Sequence, residues 1–321
     1  MICSGAAKRG RIDAMIITVT LNPAIDKTAR VKKLCPGALN RLQDVAVDAG
    51  GKGVNVSAVV SVLGGKTIAA GFAGGTTGDE LLMRLDERAI PHDFVRAGTT
   101  RVNLKLIDDD GALTELNEPG PPVSPEEWRA LEQKLFAYAA RDVIFVLSGS
   151  LPRGPDDVYL RLCRALRERG ARVFVDADGE PFRQALLAPP DYIKPNRYEL
   201  LQYFSAPADT PEAALAEYCR ELVGRGVSLA ALSLGADGAL FVTETACYRA
   251  PALSVPVRST VGAGDSMVAA LVYGLDKGLM PEQSMILAMA ASAAAVTTPG
   301  TKAPDPALVR ELETRVQLRR L

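Results

Sequence analysis

Four short runs, at residues 143–147, 173–176, 192–194 and 229–234, are apolar at nearly every position, and stretches of helical periodicity such as Asp157 to Arg169 lie between them. A strand with one wet face alternates polar and apolar residues, whereas a strand that is apolar throughout needs cover on both faces. Such runs separated by amphipathic helices predict an α/β chain, with a mostly parallel central sheet flanked by helices. Ligands are expected at the carboxyl ends of the strands. The β-branched run Ile16 to Leu21, stopped by Asn22-Pro23, reads as the first strand of the same sheet.

Two segments obey a different rule. Ala29 to Asp48 carries brief alternating stretches broken by Pro36-Gly37, and Arg101 to Leu116 alternates before the turn-like Asp109-Asp110-Gly111. Alternation means one face turned to water or ligand, so these pieces are expected to pair as a small sheet apart from the main core. Val56, Val59, Val60 and Leu63 fall at helical spacing, and Gly64-Gly65 ends that helix. The alanine-rich run Ala288 to Val296 reads as a close helix contact.

A chain of 321 residues with 48% hydrophobic content can bury a sizeable core as one large domain or two small ones. Its formal charge of −1 gives no general attraction to nucleic acid or to an anionic membrane, and no apolar run is long enough to span one. The five cysteines are scattered, with no paired or zinc-type spacing, which points to reduced thiols and a cytoplasmic location. His92 is the only histidine, and Ile90-Pro91-His92 reads as a surface turn, so aspartate, lysine and backbone groups must carry any chemistry. Residues 1–14 read as a disordered extension, and Met15 opens the folded part.

Several stretches carry chemistry, each with a plainer reading beside it. In Val261 to Asp265 the small residues Gly262, Ala263 and Gly264 let backbone approach a ligand at a helix start, where free N–H groups favour an anion; Asp265 is a candidate base or simply a helix cap. Gly50-Gly51-Lys52-Gly53-Val54-Asn55 also leads into a helix. It is a candidate ligand loop or a structural loop with a solvated lysine, and it lacks the spacing of a Walker A loop. Asp26 sits just beyond the first strand, at the expected ligand edge or in a turn. Lys194, Asn196 and Glu199 offer a lysine, an amide and a carboxylate to a phosphate or magnesium, or else a solvated end charge and a capping box. Ser233-Leu234-Gly235-Ala236-Asp237-Gly238 is explained by a tight hairpin alone.

Their order is more specific than any one of them. With N-P-A-I-D, G-G-K-G-V-N, T-R-V-N-L-K, S-G-S-L-P, K-P-N-R-Y-E, S-L-G-A-D-G and S-T-V-G-A-G-D-S in succession, the chain from Met15 onward resembles the ribokinase-like carbohydrate kinase superfamily. Thr114 to Pro121, Asn40-Arg41 and the lysine of the first glycine cluster make it most similar to the branch of 1-phosphofructokinases and tagatose 6-phosphate kinases. The resemblance implies a three-layer sandwich over 15–321, with a β-sheet lid drawn from about 29–48 and 101–116. It also implies ATP-dependent phosphorylation of a sugar phosphate with Mg²⁺.

Asp265 would then be the general base, and the amides of Gly262, Ala263 and Gly264 the anion hole. Asp26, Gly51 and Asn55 would hold the sugar, with Lys52, Arg101, Asn103, Lys105 and Ser150 around its own phosphate. Lys194, Asn196, Ser233, Gly235 and Gly238 would lie on the nucleotide side, with Glu199 near magnesium through water. The lid sheet would clasp a second copy in a homodimer, and Arg41 would reach the partner's site. Val175-Asp176-Ala177-Asp178-Gly179 departs from the family pattern, with an acid where a small hydroxyl residue is common after the strand.

The leading expectation is conversion of fructose 1-phosphate and ATP to fructose 1,6-bisphosphate and ADP. Tagatose 6-phosphate kinase and the minor type of 6-phosphofructokinase stand beside it. A kinase of nucleosides or free sugars would leave Lys52, Arg101 and Lys105 unpaired, and a non-catalytic sugar-phosphate sensor would have no need of Asp265.

Overall fold

The uniformly apolar runs form the middle of a ten-stranded sheet in the computed structural model, which describes residues 15–321. The extension expected at 1–14 lies outside the described residues. The chain first builds β1 (Met15–Thr20), β2 (Ala24–Arg30), β3 (Gln43–Gly50), α1 (Lys52–Val62), β4 (Thr67–Ala73), α2 (Gly75–Glu87), β5 (His92–Arg96), β6 (Arg101–Ile107) and β7 (Leu113–Asn117). It continues through α3 (Pro125–Tyr138), β8 (Val143–Ser148), α4 (Val158–Glu168), β9 (Arg172–Asp176), α5 (Gly179–Ala185), β10 (Tyr192–Ile193), α6 (Arg197–Phe204) and α7 (Glu212–Gly224). Last come β11 (Leu229–Ser233), β12 (Ala239–Thr243), β13 (Cys247–Ala250), α8 (Ala263–Asp276), α9 (Pro281–Ala295), α10 (Pro306–Glu313) and β14 (Arg319–Arg320).

The large sheet runs β14-β13-β12-β11-β10-β9-β8-β1-β4-β5, parallel from β5 to β11 and antiparallel thereafter. Successive side chains of its central strands enter different cores. Ile17 and Val19 of β1, with Val143, Phe145 and Leu147 of β8, pack on the side of α3 to α7, while Ile16, Ile144 and Val146 pack on the side of α1, α8, α9 and α10. This is the physical reason for the unbroken apolar runs: neither face is wet. Each large side chain buried this way, Phe145 for example, contributes roughly 2–3 kcal/mol relative to exposure. Ala288, Ala290, Ala291 and Ala294 of α9 are buried in the second core together with α8, as the small-residue run predicts.

The alternating segments form a separate four-stranded sheet ordered β3-β2-β6-β7. Ile25 and Ala49 root it in a third cluster with Val54, Ala69, Leu81 and Leu85. Its first half differs from the expected 29–48. The strand β2 begins at Ala24, only three residues after β1 ends, so Asn22-Pro23 switches the chain between sheets and Asp26 lies inside β2 rather than at the end of β1. His92 likewise is no turn residue. It opens the edge strand β5, where the Pro91 carbonyl already accepts from Ala69 N–H at 2.9 Å, and its ring meets Asp86. Among the described residues no helix is long and apolar enough to cross a membrane.

Candidate active site

The carboxyl ends of the parallel strands open into a cleft of about 960 Å³ that the small sheet partly covers. Thr20 ends β1, Ser148 ends β8, Asp176 ends β9, Lys194 follows β10 and Ser233 ends β11, and all five line it. This is where a parallel sheet leaves backbone and side chains free to meet a ligand. Six buried polar atoms on its walls lack any hydrogen-bond partner: Thr20 Oγ1, Asn22 Oδ1, Arg101 Nε, Asn103 Oδ1, Ser148 Oγ and Asp176 Oδ2. Buried polar groups are ordinarily satisfied, so such a concentration fits a polar ligand better than a packed interior.

One group of charges gathers at the start of α8. Gly262 is the N-cap residue with φ of 83°, a left-handed conformation that only glycine adopts without strain, and it turns the first amides of the helix toward the cleft. Asp265 follows in the first turn. It does not cap: its Oδ2 accepts from Asn55 Nδ2 at 2.7 Å, leaving Oδ1 for the cleft that the residue lines. Burial, with the neighbouring Asp176 charge added, pushes its pKa up to about 6 against the pull of Asn55, Lys52 and Lys194. A carboxylate so tuned accepts a proton more readily than a solvated one.

Lys52 and Lys194 are ion-paired rather than solvated. Their ammonium groups lie 3.2 and 3.3 Å from the same oxygen, Asp176 Oδ1. A Cβ placed on Gly264 would meet Lys194 Nζ at 3.3 Å, which puts that cation directly beside the glycine amides. Burial works against the charged Lys52, but Asp176, Glu199 and Asp265 outweigh it and hold its pKa above the usual lysine value. Burial likewise opposes the ionised Asp176, and Lys194 and Lys52 together keep its pKa below the usual carboxylate range. Lys52 thus shares its anion with Lys194 and makes no ion pair with the Asp26 group.

A second group sits on the small sheet. Asp26 of β2 accepts from Lys105 Nζ at 2.9 Å and from Asn103 Nδ2 at 3.0 Å, because β2 and β6 pair in a register that sets Asp26 beside Asn103. Arg101, one strand pleat away, donates to the Glu118 carbonyl; burial lowers its pKa against the influence of Asp26 and Glu118. Asn22 Nδ2 donates to Ser150 Oγ at 3.1 Å on the adjoining wall.

Asn196 and Glu199 form the reciprocal capping box of α6 and also line the cleft. The two readings of these residues are thus compatible. Ser233, Gly235 and Gly238 border the far end through the hairpin that joins β11 to β12. Every residue singled out from the sequence lines this one cleft except Arg41, which is exposed in the loop between β2 and β3.

Two features escaped sequence reasoning. Asp176 was visible only as the last residue of an apolar run, and its partner Lys52 is 124 residues away. The other is an apolar slot made by Leu253, Val255 and Val257 with Met289, Ala293 and Val296. Its first half is irregular chain whose alternation of apolar residues was the available signal.

Comparison with known proteins agrees with this geometry. The family described as pfkB family carbohydrate kinase matches residues 15–308. The chain is 38% identical over 310 residues to the 1-phosphofructokinase of Xanthomonas campestris pv. campestris, covering 94% of this chain and 96% of that one. It is 37% identical over 283 residues to the 1-phosphofructokinase of Borreliella burgdorferi, covering 87% and 91%. Phosphofructokinase-2 from Escherichia coli, solved in complex with substrates and products, superposes with a TM-score of 0.89 at 30% identity, covering 94% of this chain and 99% of that one. Another structure of that enzyme is described as its tetrameric inhibited form.

Proposed function

The chain belongs to the pfkB family of carbohydrate kinases, and from that premise we propose that this ATP-dependent sugar-phosphate kinase is a 1-phosphofructokinase, transferring the γ-phosphoryl group of ATP to the 6-hydroxyl of fructose 1-phosphate. One observation carries the reading. The cleft holds two separate cationic groups, Lys52 and Lys194 around Asp176 and Lys105 with Arg101 around Asp26. A reaction between two phosphorylated reactants needs two anion sites, whereas a free sugar would leave the second group unmatched.

Within this reading Asp265, oriented by Asn55, takes the proton of the acceptor hydroxyl. The amides of Gly262, Ala263 and Gly264 receive the charge that develops on the transferring group, and Lys52 and Lys194 flank it. Asp26 and Asn103 hold sugar hydroxyls, and Lys105 with Arg101 meets the acceptor's own phosphate. The slot at Leu253, Val255 and Val257 suits the flat apolar face of a nucleobase. Among the described residues no group of three or more His, Cys, Asp or Glu side chains could hold a metal ion. A divalent cation in this cleft would depend on phosphate oxygens and water, with Glu199 as the adjoining carboxylate, which is the way magnesium is commonly bound and fits the residues present. Bound there, Mg²⁺ supplies neutralisation of phosphate charge. A cytoplasmic location belongs to the same reading, because ATP is the phosphoryl donor.

The test is a comparison of kcat/KM on fructose 1-phosphate, fructose 6-phosphate, tagatose 6-phosphate and fructose. The first is expected to lead each of the others by about tenfold or more, over 1 kcal/mol of transition-state discrimination. A lead for any of the others overturns the assignment. Because Asp265 must be ionised to act, log kcat/KM is expected to fall with unit slope as pH drops through about 6. A profile with no acid limb would exclude Asp265 as the base.

We also propose a homodimer formed through the small sheet. Val45 of β3 and Leu116 of β7 are 52% and 53% exposed on the two edge strands, apolar side chains of the kind that a second copy covers. In that dimer Arg41, exposed in the adjoining loop and outside its own cleft, would serve the partner's. Replacing Val45 and Leu116 with glutamate is expected to give a monomer by light scattering, and an unchanged mass would count against this face.

A further inference from the structure

Asp176 makes no use of half its bonding capacity. Both lysines sit on Oδ1, while Oδ2 is buried without a partner, and the residue is only 1% exposed. A buried ion pair selected for stability would share its cations over both oxygens, since burying a charge is repaid only when its lone pairs are satisfied. The lopsided arrangement does something else. It draws Lys52, from the first turn of α1, and Lys194, from the end of β10, to one point, and Lys194 Nζ is also the atom nearest to where a Cβ on Gly264 would stand.

Three distant parts of the chain therefore meet at one carboxylate oxygen. Gly264, in the first turn of α8, lies beside the Lys194 ammonium group.

Resting on the kinase reading above, we infer that Asp176 is a positioning residue for phosphoryl transfer, the fixed anion that holds the Lys52 and Lys194 ammonium groups side by side against the glycine amides of α8. Two like charges so close repel each other, and without an anion between them each would swing toward solvent before a nucleotide arrived. Asp176 keeps them together in the empty cleft, so the incoming phosphate meets a cationic seat that needs no assembly. Its action passes through the lysines. The groups facing Asp265 are Asn55 and Lys52 from α1, Lys194 from the end of β10 and Asp176 itself from β9, so the same carboxylate also bears on the base, in agreement with its upward shift.

The experiment measures kcat and KM with MgATP and fructose 1-phosphate for the wild-type enzyme, Asp176→Asn, Lys52→Met and the charge-balanced pair Lys52→Met/Asp176→Asn. Asp176→Asn is expected to lose about 100-fold in kcat with the KM for fructose 1-phosphate changed less than about threefold. In the Lys52→Met background the same change is expected to cost about tenfold less, since one of the two cations it positions is already gone. Asp176→Glu keeps the charge, and with it the neutral balance of the buried cluster, but displaces the lysines; it is expected to fold and to lose at least about tenfold in kcat.

Wild-type kcat in Asp176→Glu, or a loss in Asp176→Asn that is undiminished in the Lys52→Met background, overturns the inference. An inactive wild type would instead overturn the kinase reading on which it rests.

Discussion

Asp265→Asn is expected to lower kcat by about a thousandfold or more while leaving sugar-phosphate binding within a few-fold, measured by steady-state turnover and by calorimetry. The physical basis is the isolation of this carboxylate. Asn55 donates to one oxygen and the other lines the cleft, and with a single histidine, at the far edge strand, the molecule offers no substitute base of that type. An amide of the same shape keeps the contact with Asn55 and removes only the proton acceptor. Stability gives an independent check.

The folded state holds Asp265 at a pKa of about 6, above its unfolded value. Burying the ionised form therefore costs stability at every pH above that range, by roughly 3 kcal/mol at most. The cost disappears as pH falls and the carboxyl protonates. The asparagine variant should consequently unfold at no lower temperature than the wild type at pH 8, and a large fall in its midpoint would mean that lost activity reflects lost fold. Near-normal turnover in a folded variant would remove Asp265 from the mechanism.

Lys105→Met is the second large effect. Lys105 is the cation of the Asp26 group, 2.9 Å from its carboxylate, and both side chains are nearly buried. Its loss is expected to raise the KM for fructose 1-phosphate about 50-fold, since a desolvated charge-assisted contact is removed, with a smaller change in the KM for ATP. The stranded Asp26 should also destabilise the fold by roughly 3 kcal/mol. Adding Asp26→Asn removes the stranded charge, so the double variant should regain stability without regaining affinity. A similar rise in both KM values would show that the small-sheet cations do not belong to the acceptor.

What the sequence disclosed depended on whether a signal was local. The apolar runs announced a sheet covered on both faces, and the alternation of R-V-N-L-K-L announced β6, because those patterns follow from the side-chain period of two within a single strand. The glycines of Gly262 to Gly264 announced a helix start, since an N-cap with φ of 83° has a nearly obligatory residue type, and that start borders the cleft. Asp26 was expected just beyond the first strand or in a turn, and it lies inside β2. Only three residues separate β1 from β2, and nothing in them says that the chain has changed sheets.

Asp176 shows the opposite failure. Its strand was located correctly, but its importance comes from Lys52 and Lys194 arriving from other elements, and no spacing along one chain encodes that meeting. Lys52 was accordingly grouped with Arg101 and Lys105 on the resemblance, and its ion pair with Asp176 could not be read from the sequence. The slot at Leu253 to Val257 was missed because its alternating apolar residues lie on irregular chain that builds no strand.

The strand β3 ends at Gly50 and α1 starts at Lys52, so the single peptide of Gly51, with φ of 117°, is all that separates them. Gly51 thus ties the sheet over the cleft directly to the helix that carries Lys52 and Asn55. With no intervening loop to absorb it, a displacement of β3 would reach Asn55, and through it the Asp265 carboxylate, without loss.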